Sequence, residues 1–260
     1  MQKLNNATEV AKQYKTAGNL NTRISIHEKY STNSLGFGNW IISNYAVEEN
    51  ARILELGCGT GSMWKGHFNI LSTCTELILT DFSEGMLETA KENLGVHPKL
   101  SFAQVDIQEI PYAEESFDIV IANMMLYHVP DLKKGLAEVR RVLKPGGKFY
   151  CATYGENGII DYIEKALAGF QVTGGVSKEF TLQNGKGTLE EFFGKVERLD
   201  YEDSLAVTNT EDLVDYVYSL SNITNLDTVG RDTLKQILDS RKEKGVLLVP
   251  KEYGMFVCEK

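Results

Sequence analysis

A short apolar run leads into three alternating glycines at Ile53-Leu54-Glu55-Leu56-Gly57-Cys58-Gly59-Thr60-Gly61-Ser62. An aliphatic run of this length predicts a buried strand. Glycine permits a tight turn and lets a ligand approach the backbone, and open α/β sheets bind ligands at the carboxyl ends of their strands. The stretch therefore predicts a strand, a ligand-binding loop and the start of a helix.

Short apolar runs alternate with longer helix-like stretches on both sides of this loop, between residues 51 and 153. The runs that predict strands are ARILELG (51–57), ELILTD (76–81), KLSFAQVD (99–106), FDIVIAN (117–123) and GGKFYCATY (146–154). The stretches that predict helices are MWKGHFNIL (63–71), SEGMLETAKENLG (83–95) and DLKKGLAEVRRVLKPGG (131–147). Apolar strands that alternate with helices are typical of a parallel sheet covered on both faces. The predicted fold class is therefore α/β, doubly wound.

The residues that flank this core have a different pattern, and we expect them to be additions packed on it. Residues 1–30, which contain VAKQYK (10–15) and RISIHEKY (23–30), are expected to be helical. So are NTEDLVDYVYSLSNIT (209–224) and RDTLKQILDSRKEK (231–244). FFGKVERLDYEDSLAVT (192–208) and GVLLVPKEYGMFVCEK (245–260) are each expected to form one strand. We predict a helical lid segment at 1–40, a ligand-binding core at 41–155, and a C-terminal part at 156–260.

Composition and charge exclude several classes of protein. The chain is 42% hydrophobic and 24% charged, with 23 Gly and 5 Pro, which excludes collagen-like, disordered and coiled-coil proteins. The net charge of −9 disfavours a nucleic-acid or anionic-lipid partner. The four cysteines form no C-x-x-C pair, so we expect neither a disulfide framework nor a metal site. No apolar run reaches the ~18 residues that a membrane helix needs, and no signal peptide is evident, so we expect a cytoplasmic protein.

Two acidic residues determine which ligand suits the loop. Glu55 lies two residues before the first of the glycines, where its carboxylate would repel the pyrophosphate of a dinucleotide but would suit a cation. Asp81 ends the next predicted strand, where an acid can accept hydrogen bonds from both ribose hydroxyls. An adenosine that carries a positively charged tail fits both acids, and S-adenosylmethionine is such a molecule.

The chain resembles the class I S-adenosylmethionine-dependent methyltransferases, in particular the broad subgroup that acts largely on small molecules. The resemblance rests on four motifs in order: ELGCGTG (55–61), LTDFSEGML (79–87), QVDIQEIPYAEESFDIVIANMMLYHV (104–129) and LKPGGKFYCAT (143–153). It implies a Rossmann-like, seven-stranded, mostly parallel sheet with a last antiparallel strand. It also implies an N-terminal helical lid and a helical insertion, on the substrate side, before the last strand.

The resemblance also implies where the methionine portion of the cofactor binds. That portion would lie against the glycine loop, at Glu55, Gly57, Cys58, Gly59 and Gly61. The backbone carbonyl of Asn123 would receive the methionine ammonium, and Tyr30 would cover the carboxylate end. An alternative structural role remains open for Glu55, which could fix the turn by accepting backbone donors.

The adenosine portion is assigned to the ends of the next two strands. Asp81 would hold the ribose, Phe82 and Met86 would sandwich the adenine, and Asp106 and the backbone of Ile107 would meet its amino group and ring. Phe82 and Met86 could instead be plain core at helical spacing, and Asp106 could simply cap its loop.

Methyl transfer needs no nucleophilic residue, because in-line alignment of acceptor and methyl group supplies much of the acceleration. A base is needed only for an acceptor that begins protonated. His128 is the first candidate, with its neighbour Tyr127 as rival, and a packing role for His128 stays open. We expect a small-molecule acceptor, aromatic or apolar, and no metal. An RNA or protein methyltransferase, or a non-catalytic S-adenosylmethionine-binding module, remains an alternative.

Overall fold

A computed structural model describes residues 17–175, 177–221 and 224–260, and it separates the chain into two compact units. Of the described residues, the first unit contains those from 17 to 36, Tyr154–Lys178 and Asp200–Tyr253. The second contains Phe37–Thr153, Glu179–Leu199 and Gly254–Lys260. The predicted division at 1–40, 41–155 and 156–260 stays a prediction, and residues 1–16 of its lid segment lie outside the described residues.

The described strands are short, apart from one. In chain order they are β1 (Arg52–Leu56), β2 (Glu76–Asp81), β3 (Leu100–Gln104), β4 (Phe117–Ile121), β5 (Leu143–Tyr154), β6 (Lys195–Tyr201), β7 (Ser204–Val207), β8 (Leu247–Pro250) and β9 (Tyr253–Glu259). Among the described residues, seven of them form one sheet in the order β3-β2-β1-β4-β5-β9-β6. The pairings of β1 with β2 and β4, of β2 with β3 and of β4 with β5 are parallel. This mostly parallel sheet with one antiparallel strand confirms the predicted fold class.

Several helices begin where the sequence indicated, but most of them end earlier. They are α1 (Ala17–Tyr30), α2 (Phe37–Ser43), α3 (Ile70–Thr73), α4 (Glu84–Leu94), α5 (Leu132–Val142), α6 (Ile159–Ala166), α7 (Gly185–Glu190), α8 (Thr210–Tyr218) and α9 (Arg231–Asp239). Short 3-10 turns occur at Ser62–Trp64, Leu126–His128 and Leu226–Val229. The side chains of Ser83 and Asp131 cap α4 and α5, as Ser and Asp do at helix starts.

Both faces of the seven-stranded sheet are buried, which positions the strand ends and the loops that follow them. Side chains alternate between the two faces of a strand, and β1 accordingly places Leu54 and Leu56 in one apolar cluster and Ile53 in another. All three side chains are at most 1% exposed. The loop after Leu56 therefore starts from a strand that is held on both sides.

The first unit has a core of its own around a two-stranded sheet. β7 pairs with β8 in antiparallel register, with Leu205 opposite Val249. Ile26 of α1 belongs to the same buried cluster as these two residues. Within the described residues, no helix is both long enough and apolar enough to cross a membrane.

Two segments that the sequence predicts as single strands are each divided, and one ion pair explains both divisions. The segment 192–208 forms β6 and β7, and the segment 245–260 forms β8 and β9. Asp203 lies at the first break and Lys251 at the second, and the two side chains form a salt bridge while 0% and 3% exposed. Ser31 also donates to Asp203, at 2.5 Å. A buried charge needs its partner, so both chain turns are held where these residues meet.

Four helix predictions were also wrong in extent. The helices predicted at 209–224 and 231–244 end early, at Tyr218 and Asp239. The segment 63–71 is not one helix, because Gly66 adopts a φ of +86°, and a 3-10 turn and the short α3 flank it instead. The predicted helix 131–147 ends at Val142, and residues from Leu143 onward belong to β5. Pro145 lacks the backbone N–H that a continued helix would use.

Candidate functional site

The glycine loop after β1 turns tightly and has one open side. Gly57, Gly59 and Gly61 have φ angles of +73°, +57° and +68°, in the left-handed region that favours glycine. A Cβ atom on Gly61 would lie 2.7 Å from Leu94 Cδ1, whereas a Cβ on Gly59 would meet nothing within 4 Å. The loop therefore packs against α4 at Gly61, and a ligand can approach its backbone at Gly59.

Asp81, at the end of β2, holds this loop in place. Its Oδ2 accepts from the Gly59 amide at 2.9 Å, and its Oδ1 accepts from the Ser83 amide at 2.8 Å. Burial raises the pKa of the Asp81 carboxyl, while these backbone donors oppose that shift. The carboxylate thus connects the glycine loop with the start of α4 and retains further acceptor capacity.

Glu55 is a buried acid at the end of β1, only 3% exposed. Burial raises the pKa of its carboxyl to about 7, the negative charge of Asp81 adds to this, and a hydrogen bond from the Trp64 indole opposes it. That indole N–H donates to Glu55 Oε2. Glu55 therefore accepts a hydrogen bond from the side chain of Trp64. A cation bound beside Glu55 would favour its charged form.

The end of β4 is held by a polar contact that the sequence did not indicate. The Asn123 amide donates to the Tyr45 hydroxyl at 2.7 Å, and its Oδ1 accepts from the Ala152 amide at 3.1 Å. The next residue, Met124, has a φ of +54°, which is uncommon for a residue other than glycine. Asn123 therefore stabilises a sharp turn beside the candidate site.

The side chains assigned to adenine differ in exposure. Phe82 is 50% exposed, so half of its surface is open to a flat ligand and it is not plain core. Met86 is half-buried, and its amide lies 3.4 Å from the capping Ser83 hydroxyl. Asp106 Oδ1 accepts from the Gln108 amide at 2.8 Å, which is a loop-capping contact, and Ile107 is buried.

Cys58 and the candidate bases are the remaining predicted site residues of the second unit. Burial raises the pKa of the half-buried Cys58 thiol, which stays protonated near neutral pH. Tyr127 and His128 lie in the 3-10 turn after β4, with ring centroids 4.5 Å apart. His128 donates its backbone N–H to the Met125 carbonyl at 2.9 Å.

Tyr30 belongs to the first unit, at the end of α1. Its hydroxyl donates to Asp212 Oδ2 at 2.5 Å. Its assignment to the cofactor stays a prediction, as do the assignments of the other predicted site residues. Among the residues that the structure describes, no group of three or more His, Cys, Asp or Glu side chains could hold a metal ion.

Sequence reasoning missed Tyr45 and Trp64. The two rings lie 6.3 Å apart, and the ring of Tyr45 lies 4.9 Å from that of Tyr150. Trp64 is 1% exposed. Trp64 follows Glu55 by nine residues and donates to it. The sequence pattern does not indicate which way the Trp64 side chain points, so the contact could not be predicted.

Part of the chain matches a known protein family. Residues 54–151 match the family described as a methyltransferase domain. A demethylmenaquinone methyltransferase of Clavibacter sepedonicus is 37% identical over 97 residues, which are 37% of this chain and 38% of that protein. One from Staphylococcus aureus strain MRSA252 is 33% identical over 111 residues, 43% of this chain and 46% of that protein. The chain thus spans less than half the length of these curated relatives.

Solved structures resemble a larger part of the chain at lower identity. The YcgJ protein of Bacillus subtilis has a TM-score of 0.59 and 19% identity over 86% of this chain and 97% of its own. The [4+2]-cyclase SpnF has a TM-score of 0.61 and 14% identity over 96% of this chain and 94% of its own. At these identities the likeness shows the fold alone.

Proposed function

We propose that this chain is a class I S-adenosylmethionine-dependent methyltransferase, which the methyltransferase-domain match over residues 54–151 supports. It transfers a methyl group from S-adenosylmethionine to a small-molecule acceptor by in-line displacement. The observation that carries the proposal is a pair of acids at neighbouring strand ends, Glu55 and Asp81, beside a glycine loop that is open at Gly59. Fold by itself would not carry it, since one fold hosts many functions.

The residues present fit the cofactor in charge and shape. Asp81 accepts two backbone N–H groups and has capacity for the two ribose hydroxyls. Glu55 is buried and acidic, which favours the methionine ammonium, and the half-exposed ring of Phe82 suits the adenine face, with Met86 on its other side. The glycine loop and the Asn123 carbonyl complete the methionine end. Asp106 and Ile107 complete the adenine end.

Bound there, S-adenosylmethionine supplies a methyl group on a positively charged sulfonium. The chain must then align the acceptor with that methyl group and keep water out. For an acceptor that begins protonated, we assign His128 as the general base, with Tyr127 as the alternative. Both residues lie in the 3-10 turn Leu126–His128, on the segment that follows the carboxyl end of β4.

The acceptor is proposed as a small molecule that is aromatic or apolar. Relatives named demethylmenaquinone methyltransferases support a small acceptor, and the net charge of −9 opposes RNA. We also propose that the protein is cytoplasmic and that the reaction uses no metal.

Calorimetric titration with S-adenosylhomocysteine and, separately, NAD tests the cofactor. We expect a dissociation constant near micromolar for S-adenosylhomocysteine, which corresponds to a binding free energy of about −8 kcal/mol. NAD should bind far more weakly. Tighter NAD binding would refute the proposal. An acceptor panel that includes quinols, phenols and amines, read by release of S-adenosylhomocysteine, then tests turnover. Cofactor binding without release on any acceptor would favour the non-catalytic module, and salt-dependent RNA binding would favour an RNA acceptor.

A further inference from the structure

The contact between Trp64 and Glu55 is buried and arises from the loop itself. The backbone N–H of Gly61 donates to the Cys58 carbonyl at 3.0 Å, and that of Trp64 donates to the Gly61 carbonyl at 3.0 Å. Two successive turns therefore follow the glycines and return the indole of Trp64 to the end of β1. The indole is 1% exposed, and its N–H donates to Glu55 Oε2.

Neighbouring rings hold the indole in place. The ring of Tyr45 lies 6.3 Å from that of Trp64 and 4.9 Å from that of Tyr150. The Tyr45 hydroxyl accepts from Asn123 at 2.7 Å, which ties these rings to the end of β4. The indole N–H can only donate, so in this packed position it has one use, which is to bind an acceptor such as the Glu55 carboxylate.

Two effects oppose the charged form of Glu55, and Trp64 counteracts them. Burial and the negative charge of Asp81 both raise the pKa of the Glu55 carboxyl, whereas the indole hydrogen bond lowers it. A hydrogen bond to a charged acceptor is stronger than one to a neutral acceptor. Removal of the indole N–H therefore favours protonated Glu55, which has no charge with which to receive a cation.

We propose that Trp64 is a positioning residue for the cofactor, whose indole N–H orients and stabilises the Glu55 carboxylate that receives the methionine ammonium. The inference rests on the proposed function, because it requires the cofactor to bind through Glu55. The inference adds to the cofactor site a residue that lies outside the glycine motif and that acts on the cofactor through Glu55.

The test compares S-adenosylhomocysteine affinity in the wild type, in Trp64→Phe and in the matched control Trp40→Phe, between about pH 6 and pH 8.5. Loss of the indole donor is expected to raise the pKa of Glu55 by roughly one unit, from about 7. The ratio of mutant to wild-type dissociation constants then falls from about tenfold at pH 6 to less than about twofold at pH 8.5. Titration of the ligand itself cancels in this ratio.

A role in packing alone predicts a ratio that does not change with pH, and that result would overturn the inference. Trp40→Phe should follow the wild type at every pH, since the ring of Trp40 stacks on Phe37. If the ligand binds the wild type at no pH, the proposed function fails as well. If it binds and the ratio is constant, only the role of Trp64 fails.

A spectroscopic measurement decides the matter even if Trp64→Phe does not fold. The chain has two tryptophans, so Trp40→Phe leaves Trp64 as the remaining emitter. Its emission is expected to titrate with a midpoint near the pKa of Glu55, about 7. Glu55→Gln in the same background should abolish that titration. Emission that stays constant through neutral pH would contradict the proposed contact.

Discussion

Replacing Asp81 with alanine is expected to weaken binding of S-adenosylhomocysteine by at least about a hundredfold. A carboxylate offers about four acceptor positions. The amides of Gly59 and Ser83 donate to its two oxygens, and the backbone of Phe82 also contributes a hydrogen bond. We propose that the ribose hydroxyls donate to the acceptor capacity that remains. Hydrogen bonds to a charged group contribute ~1.5–3 kcal/mol each, so both together amount to about 3–6 kcal/mol.

The same substitution also releases the Gly59 and Ser83 amides, and the assay must separate this effect from loss of the ribose contacts. Titration calorimetry with S-adenosylhomocysteine and its 2′,3′-dideoxy analogue, on wild type and on Asp81→Ala, forms a double-mutant cycle. Loop effects are common to both ligands and cancel. We expect the missing hydroxyls to weaken binding about a hundredfold in the wild type and only slightly in Asp81→Ala. An equal loss in both proteins would remove Asp81 from the ribose site, and Asp81→Asn should lose less than Asp81→Ala.

Three further outcomes are expected. Phe82→Ala should weaken cofactor binding roughly tenfold by loss of base stacking, with little change in melting temperature because the ring is 50% exposed; an unchanged dissociation constant would contradict this. His128→Ala should lower turnover at least ~100-fold with cofactor affinity near wild type, and a fall of only a few-fold would end its assignment as base. His27 has its pKa lowered to about 4, chiefly by burial, so the unfolded chain takes up a proton that the folded chain does not. The free energy of unfolding is therefore lost as pH falls from about 6.5, and by pH 5 His27→Gln should lose about 2 kcal/mol less than the wild type. Hydrogen exchange of the α1 amides measures this difference, and identical pH dependence in both proteins would refute the prediction.

The parts of the fold that depend on local sequence could be predicted. The strands up to β5 are apolar runs bounded by residues that end them, and the start of α4 follows from the capping side chain of Ser83. Glu55 and Asp81 could be singled out for the same reason, because each lies near the end of an apolar run that leads into the glycine loop or a helix start.

The remaining features depend on residues that are distant in sequence. Asp203 and Lys251 divide two apparent strands into four, yet each alone is an ordinary charged residue between apolar neighbours. Tyr45 meets Asn123 across 78 positions. Only Trp64 lies near its partner in sequence, and its orientation depends on two backbone turns that single-sequence patterns do not specify.

The order of strands in the large sheet constrains how the chain can fold during synthesis. β9, which includes residues 254–259, lies between β5 and β6 rather than at an edge. Domains generally fold as units while the N-terminal part emerges first from the ribosome. Here β5 and β6 leave the ribosome with the position between them vacant, and each presents an unpaired strand edge, which is a site for aggregation. The nascent chain therefore needs protection of those edges until β9 has been translated.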